Sequence, residues 1–173
     1  MTWYGKLLAV NERVTLNFFY LELVEAANRQ IDEACALYVA SIFAHYAQVS
    51  TCSSDQMPAP NSLSEVFDHF VANTDVRRDA EMMEIAGSYS LLLTGFFRNQ
   101  MKSRHNINWH CDRGADFFLK ASYLQETCSP GRSRMLKIIG KDFRPLSEIC
   151  FVLGKKLIRN SDDQYLIRIS KES

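Results

Sequence analysis

The segment from Gly87 to Phe97 constrains the fold of this chain more than any other. It reads Gly-Ser-Tyr-Ser-Leu-Leu-Leu-Thr-Gly-Phe-Phe and holds no charged residue. A helix that lacks a polar face has no side to turn toward water, so it must be buried. Each glycine inside a helix costs about 1 kcal/mol relative to alanine, and two of them in one segment need a structural reason.

Close packing supplies that reason. A glycine lets a neighbouring backbone or aromatic ring approach the helix, and the chain contains 11 Phe, 7 Tyr and 2 Trp. We therefore predict a central buried helix whose glycines receive large side chains. The alternative is that Gly87, Gly95 and Gly114 leave space for an apolar small molecule inside the bundle.

Length and composition describe a globular protein. The chain has 173 residues, of which 47% are hydrophobic and 23% charged, and this excludes a disordered or fibrous chain. A chain of this length buries one substantial core. Apolar periodicity and polar breaks predict an all-α, single-domain bundle of six or seven helices over residues 1–173. A loop is expected near 50–61, and the tail 160–173 is expected to be a short extended segment or a helix.

Apolar stripes and capping residues predict where the helices lie. In the first half, stripes over 12–28 and 31–49 indicate two helices joined near Asn28 or one bent helix. The sequence Ser62-Leu-Ser-Glu65 is typical of a capping box, and Asp75 is the expected cap of the helix that contains Gly87.

The second half contains three further predicted helices. The first spans 109–128, with Trp109 in the core. Ser129 and Pro130 suit the start of the next, and Gly140 suits its C-cap. Pro145 then fits the first turn of the last helix, whose predicted core residues are Leu146, Ile149, Cys150, Val152, Leu153 and Leu157.

The net charge of zero conceals an asymmetry along the chain. Residues 1–100 carry 6 Lys/Arg and 12 Asp/Glu, a balance of −6, whereas residues 129–160 carry 8 Lys/Arg and 2 Asp/Glu, a balance of +6. Charge runs are usually solvated faces. The alternative is that the basic region is a docking surface for an acidic partner.

Cysteine usage and hydropathy predict a cytoplasmic protein that does not cross a membrane. The five cysteines are odd in number, no Cys-x-x-Cys occurs, and the first residues do not form a signal peptide. Reduced thiols fit the cytoplasm. The uncharged stretch 34–54 is interrupted by polar residues, and its apolar part is short for a bilayer.

Residues 85–118 carry a recognisable pattern. It comprises Gly87-Ser-Tyr-Ser-Leu91, Gly95-Phe-Phe97, a basic stretch over 98–104, then Trp109-His110, Asp112, Gly114 and Phe118. The pattern resembles that of a bacterial all-α family without an established activity: Gly-Asp-x-Ser-Leu-x-x-x-Gly-Phe-Phe, followed by Tyr-Tyr-x-x-x-Gly-x-x-x-Tyr. This chain has Ser88 in place of the family's acid, Trp109-His110 in place of Tyr-Tyr, and Phe118 in place of the last Tyr.

The resemblance implies an all-α fold and a bacterial origin. It brings no catalytic residue, and the departures argue against a catalytic hydroxyl or carboxylate at these positions. Together with the glycine argument, it gives the candidate ligand- or partner-binding residues: Gly87, Ser90, Gly95, Phe97, Trp109, His110 and Gly114.

Other chemistries lack a convergent set of residues. The chain has no Glu-x-x-His, as a di-iron bundle needs, and no phosphate-binding glycine loop. His110 and Cys111 are adjacent, so on a helix they point about 100° apart and do not converge on zinc or activate a thiolate. Glu81 and Glu84 are interpreted as a solvated helix edge. We expect no catalytic residue, metal or cofactor, and the enzyme interpretation ranks behind a binding one.

Nucleic-acid binding through residues 132–159 is the third alternative. Two apolar helices around Pro145 resemble a helix-turn-helix. The second helix, however, starts with core residues and Glu148 instead of polar base-reading side chains. The sequence therefore favours a protein-interaction or regulatory module that binds a protein partner or itself.

Overall fold

Helices make up all the regular structure of residues 10–52, 78–100 and 106–160, the parts of the chain that the computed structural model describes. The α-helices are α1 (Val10–Ala26), α2 (Glu33–Cys52), α3 (Ala80–Leu91), α4 (Ile107–Gln125), α5 (Pro130–Lys141) and α6 (Phe143–Asn160). A π-helical turn, Leu92–Phe96, extends α3, and a 3-10 turn, Arg98–Gln100, follows it. The all-α prediction is confirmed, with six α-helices in these ranges.

The helices divide into two compact units, Met1–Pro58 with Val152–Ser173, and Ala59–Phe151. The prediction of one domain over 1–173 stays a prediction. Helix α2 continues to Cys52, so the first residues of the predicted loop at 50–61 are helical. The rest of that loop, the capping box at Ser62 and the tail beyond residue 160 lie outside the described residues.

In the first unit, α1 and α2 form a helical hairpin. Asn28 and Arg29 adopt left-handed backbone conformations, with φ of 51° and 59°, and the Arg29 amide donates to the Val24 carbonyl at 2.8 Å. The chain therefore forms two separate helices joined by this turn, and the alternative of one bent helix is wrong. Asp32 then accepts from the Cys35 amide at 3.1 Å and caps α2.

The core of this hairpin differs from the predicted stripe of α1. Phe19 and Leu23 are fully buried, and the Phe19 ring lies 5.6 Å from that of Phe43 on α2. Leu16 and Tyr20, two apolar residues of the predicted stripe over 12–28, are only half-buried. Helix α1 is apolar on more than one side, so its periodicity does not define a single buried face.

The acidic side of α1 binds a lysine of its own unit. Lys156 Nζ lies 2.8 Å from Glu22 Oε2 and 3.0 Å from Glu25 Oε2. These two carboxylates, Glu22 first, raise the pKa of Lys156. Ion pairs at the surface contribute little to stability, so this cluster mainly fixes which side of α1 faces α6.

In the second unit, α3 and its π-helical turn form the predicted buried segment. Helix α3 begins after Asp79, whose Oδ1 accepts from the amides of Glu81 and Met82 at 2.9 and 3.3 Å. The prediction that Asp75 caps this helix is therefore wrong, because Asp79 is the residue next to the first turn. Asp75 lies outside the described residues.

Two of the three buried hydroxyls of this segment, those of Ser90 and Thr94, bond to its own backbone, whereas the buried Ser88 Oγ has no hydrogen-bond partner within the described residues. Ser90 donates to the Ala86 carbonyl at 2.8 Å, and Thr94 donates to the Ser90 carbonyl at 2.7 Å. Such bonds let polar side chains occupy a helix interior without an unsatisfied donor. They explain how a Ser- and Thr-containing helix is buried on all sides.

Close neighbours fill the space beside the three candidate glycines, a ring at Gly87 and Gly114 and Cys150 at Gly95, and the close-packing prediction is confirmed. A Cβ atom on Gly87 would lie 2.9 Å from the Phe118 ring, and one on Gly95 would lie 2.6 Å from Cys150 Cβ. A Cβ atom on Gly114 would collide with the Phe143 ring.

Three other predictions need correction. Gly140 is not a C-cap: α5 continues to Lys141, and Gly140 receives the Leu119 side chain, which would lie 2.8 Å from an added Cβ. Trp109 and Val152 are not core residues, since 42% and 53% of their surfaces are exposed. Both stand on the outer sides of helices whose cores are already filled by aromatic and aliphatic side chains.

We predict that Gly114→Ala destabilises the protein whereas Gly131→Ala does not. The new methyl group at 114 must displace the Phe143 ring, which is 1% exposed and has no room to move. Overpacking of this kind costs about 1–3 kcal/mol. At Gly131 a Cβ atom meets nothing within 4 Å, and alanine is the better helix former.

Urea unfolding of both variants measures the difference. The close-packing account is contradicted if Gly114→Ala unfolds at the same urea concentration as Gly131→Ala.

Candidate functional site

A cleft of about 650 Å³ lies between the C-terminal half of α4 and the outer side of α5. Its lining comprises Leu119, Ser122, Tyr123, Glu126, Pro130, Ser133, Arg134 and Lys137. A volume of a few hundred cubic ångströms is typical of ligand and peptide sites. Tyr123 leaves 71% of its surface exposed beside the cleft, so an incoming molecule reaches the lining from solvent.

A close crossing of the two helices forms the floor of the cleft. Ser122 Oγ donates to the Ser133 carbonyl at 2.7 Å, and Ser133 Oγ donates to the Ser122 carbonyl at 2.8 Å. Both serines are buried. Because these bonds join side chain to backbone in both directions, they hold α4 and α5 at one separation, and longer side chains on either side form the walls.

A buried ion pair fixes the end of this helix pair to α3. Glu84 is 2% exposed, and Arg132 donates to its two oxygens through Nε at 2.9 Å and Nη2 at 2.6 Å. Gln125 adds a bond of 2.5 Å to the same carboxylate. Gln125 and Arg132 flank the α4–α5 turn, so one carboxylate binds both sides of it.

The interpretation of Glu81 and Glu84 as a solvated edge is therefore wrong for Glu84. Glu81 is exposed in the first turn of α3, as expected. Glu84 lies one turn further along and faces the α4–α5 turn. Its partner Arg132 is distant in the chain, so helical spacing alone gave no signal of the pair.

The α5 side of the cleft is positively charged. Arg134 and Lys137 are exposed, and neither forms a hydrogen bond or ion pair within the described part of the chain. Lys141 extends the same row of the helix by one turn. The acidic residue of the lining, Glu126, belongs to the C-terminal end of α4.

A second polar cluster surrounds Arg98, at the end of the π-helical turn. Its Nε donates to the Thr94 carbonyl at 2.6 Å, Nη1 to Glu148 at 2.7 Å, and Nη2 to Ser147 Oγ at 3.1 Å. The guanidinium also lies 4.4 Å from the centre of the Phe151 ring. Four contacts hold this side chain in place, and it positions the π-helical turn on α6.

The sequence-predicted site residues do not line the cleft. Gly87, Gly95 and Gly114 contact buried side chains, and Ser90 binds its own helix. Phe97 packs edge-on against Phe96, with ring centres 5.0 Å apart. These positions belong to the packed interior of the second unit, apart from Phe97, which is half-buried, and Trp109, which is exposed.

Trp109 and His110 form an edge-to-face pair, with ring centres 4.9 Å apart. Trp109 is exposed, and the Arg113 guanidinium lies 5.9 Å from its ring centre. His110 is 6% exposed, as expected for a histidine that packs beside Trp109. His105, the nearest other histidine in the sequence, lies outside the described residues.

The residues next to His110 are engaged in packing and ion pairing. Cys111 is buried, with Sγ 3.8 Å from Ser147 Oγ. Asp112 accepts from Arg144 Nη2 at 2.6 Å, which raises the pKa of Arg144. Burial raises the pKa of the Cys150 thiol, so Cys150 stays protonated and unreactive at neutral pH.

Two findings concern other kinds of site. Within the described ranges, no three His, Cys, Asp or Glu side chains come together in a way that suits a metal ion. Over the same ranges, none of the helices has both the length and the apolar composition that crossing a bilayer requires.

No protein-family model, curated protein or solved structure matches this chain. The cleft had a weak signal in the sequence: small residues on two consecutive helices, next to an exposed basic row.

We predict that Arg132→Met destabilises the protein, because it removes the Arg132 guanidinium from the buried Glu84 carboxylate. Breaking one side of a buried ion pair costs about 3–5 kcal/mol. The double variant Glu84→Met with Arg132→Met removes both charges and recovers most of this loss. Urea unfolding at constant pH compares the two. The single variant Glu84→Met completes the comparison. If the loss of unfolding free energy in the double variant equals the sum of the losses in the two single variants, the two residues are not coupled and the prediction is wrong.

Proposed function

We propose that this protein is a non-catalytic protein-interaction module whose α4–α5 cleft receives a segment of a protein partner. The cytoplasmic location, the bacterial origin and the resemblance over residues 85–118 are parts of this proposal. They are supported by the reduced-thiol composition and by the pattern around Gly87, Gly95 and Gly114.

The cleft itself is the observation that carries the proposal. It combines an apolar wall from Leu119 and Tyr123, a floor held by Ser122 and Ser133, and exposed cations on one side. Protein interfaces favour tyrosine and arginine, which offer large contact areas together with hydrogen-bonding groups. The hydrogen-bonded floor and the longer side chains of the walls suit a peptide segment whose side chains pack between those walls.

A catalytic function finds less support in the second unit. Its buried polar groups hold one another: Glu84 binds Arg132 and Gln125, and Arg98 binds Ser147 and Glu148. A general acid or base must reach the substrate proton within hydrogen-bonding distance. Here these groups bind one another and fix helices.

The small-molecule alternative also finds less support. A ligand beside Gly87, Gly95 or Gly114 would have to displace Phe118, Cys150 or Phe143, all of which are buried. Nucleic-acid binding through 132–159 would use part of the same basic row. An acidic residue, Glu126, and an apolar wall make the cleft better suited to a protein segment.

We predict that Tyr123→Ala abolishes retention of the protein partner, whereas Met82→Ala preserves it. Both side chains are exposed apolar groups of the same unit, at 71% and 37%, but only Tyr123 lines the cleft. Native affinity purification of the tagged wild type and both variants, followed by quantitative mass spectrometry, compares their stoichiometric companions.

The proposal is supported by a companion that wild type and Met82→Ala retain and Tyr123→Ala loses. It is overturned if all three retain the same proteins, or if the wild type retains none.

A further inference from the structure

We propose that the segment bound in the cleft is an acidic, amphipathic helix whose carboxylates pair with Arg134 and Lys137. This inference rests on the proposed function, because it names the chemistry of the partner that the α4–α5 cleft receives. It follows from the charge, the spacing and the apolar wall of the cleft.

The charge of the α5 side selects an anion. Arg134 and Lys137 line the cleft and have no counter-ion within the described part of the chain. Two other basic groups of the unit are paired, since Arg144 binds Asp112 and Arg113 binds Asp116. Unpaired cations beside an apolar wall give electrostatic complementarity to a carboxylate and help to fix its register.

The spacing of the basic row suits a helix. Arg134, Lys137 and Lys141 are three and four residues apart, which corresponds to rises of about 4.5 and 6 Å along α5. Carboxylates at positions i, i+3 and i+7 of a partner helix repeat the same rises. Helix α5 has 12 residues, so a partner of about three turns covers its length.

The apolar wall selects an amphipathic helix over a purely acidic segment. Leu119 and Tyr123 are one turn apart on α4, opposite the basic row. An aliphatic or aromatic side chain of the partner placed between them is removed from water. The partner's residues one or two positions away lie on a different side of its helix and face the cations. Recognition of a helix in a groove uses this arrangement of anchors.

Glu126 argues for a protein segment over a nucleic acid. This carboxylate lies at the C-terminal end of α4 and lines the same cleft as the basic row of α5. A nucleic acid carries a phosphate at each nucleotide, so one of them would face this carboxylate. A peptide can place a neutral or basic residue there.

The test uses three fluorescein-labelled synthetic peptides of 15 residues that share one Ala/Leu helical frame and carry Glu, Gln or Lys at i, i+3 and i+7. Fluorescence anisotropy with the full-length protein measures each dissociation constant at about 50 and 300 mM salt. We expect the Glu peptide to bind about tenfold more tightly than the Gln peptide at low salt, and the Lys peptide to bind most weakly.

Two single substitutions form a matched pair. Lys137→Glu and Lys120→Glu change the net charge equally, but Lys120 is an exposed residue of α4 outside the cleft. We expect Lys137→Glu to weaken binding of the Glu peptide by about tenfold, and Lys120→Glu to change it by less than about twofold. The double variant Arg134→Glu with Lys137→Glu should instead prefer the Lys peptide, and circular dichroism confirms that each variant is folded.

The outcomes separate the inference from the proposed function. If the Gln and Glu peptides bind equally tightly and Tyr123→Ala abolishes the binding of both, the cleft binds peptides but does not select acidic ones. That result overturns the inference and supports the proposed function. Equal weakening by Lys120→Glu and Lys137→Glu overturns the inference too, because net charge then explains the effect. Failure of all three peptides overturns it as well, and the companion-retention comparison then decides the proposed function.

Duplex DNA is the last ligand tested for binding. If it binds, loses affinity steeply with salt, and is weakened by Lys137→Glu while the Glu peptide does not bind, both the acidic helix and the protein-interaction function are wrong.

Discussion

The second unit depends on how closely α4 approaches its neighbours. At each crossing a small residue receives a large one or bonds directly to the opposite backbone. The contacts are Phe118 on Gly87, Phe143 on Gly114, Leu119 on Gly140, and the reciprocal bonds of Ser122 and Ser133. Densely packed interiors leave little room for adjustment. The positions of α3, α5 and the first turns of α6 therefore follow from α4, and so does the cleft beside α5.

Buried polar groups add specificity to this packing. A buried carboxylate such as Glu84 is costly unless its cation and hydrogen bonds are in place. In the observed arrangement of α3 and the α4–α5 turn, Arg132 and Gln125 reach it together. Arg98 acts similarly at the π-helical turn, where it binds the freed Thr94 carbonyl and the side chains of α6. We infer that these groups select one helix arrangement among several of similar apolar burial.

The sequence predicts which segments are buried better than it predicts which residues contact each other. The uncharged segment 87–97 has few alternatives to a buried, close-packed helix; Gly87 contacts the Phe118 ring, and Gly95 contacts Cys150. The stripe of α1 failed because α1 is apolar on several sides, so the choice of Phe19 depends on Phe43 of α2. Glu84 and Arg132 are each ordinary helix-surface residues until the fold brings them together. The cleft arises from the separation of two helices, a quantity that no local pattern contains.

The most direct test of the account is an NMR titration of the isotope-labelled protein with the Glu-bearing peptide, following backbone amides and methyl groups. The account predicts shift changes concentrated at Leu119, Tyr123, Arg134 and Lys137, with the methyl and amide signals around Gly87 and Gly114 unchanged. Changes centred on those glycines or on Trp109, with the α4–α5 cleft silent, would contradict it.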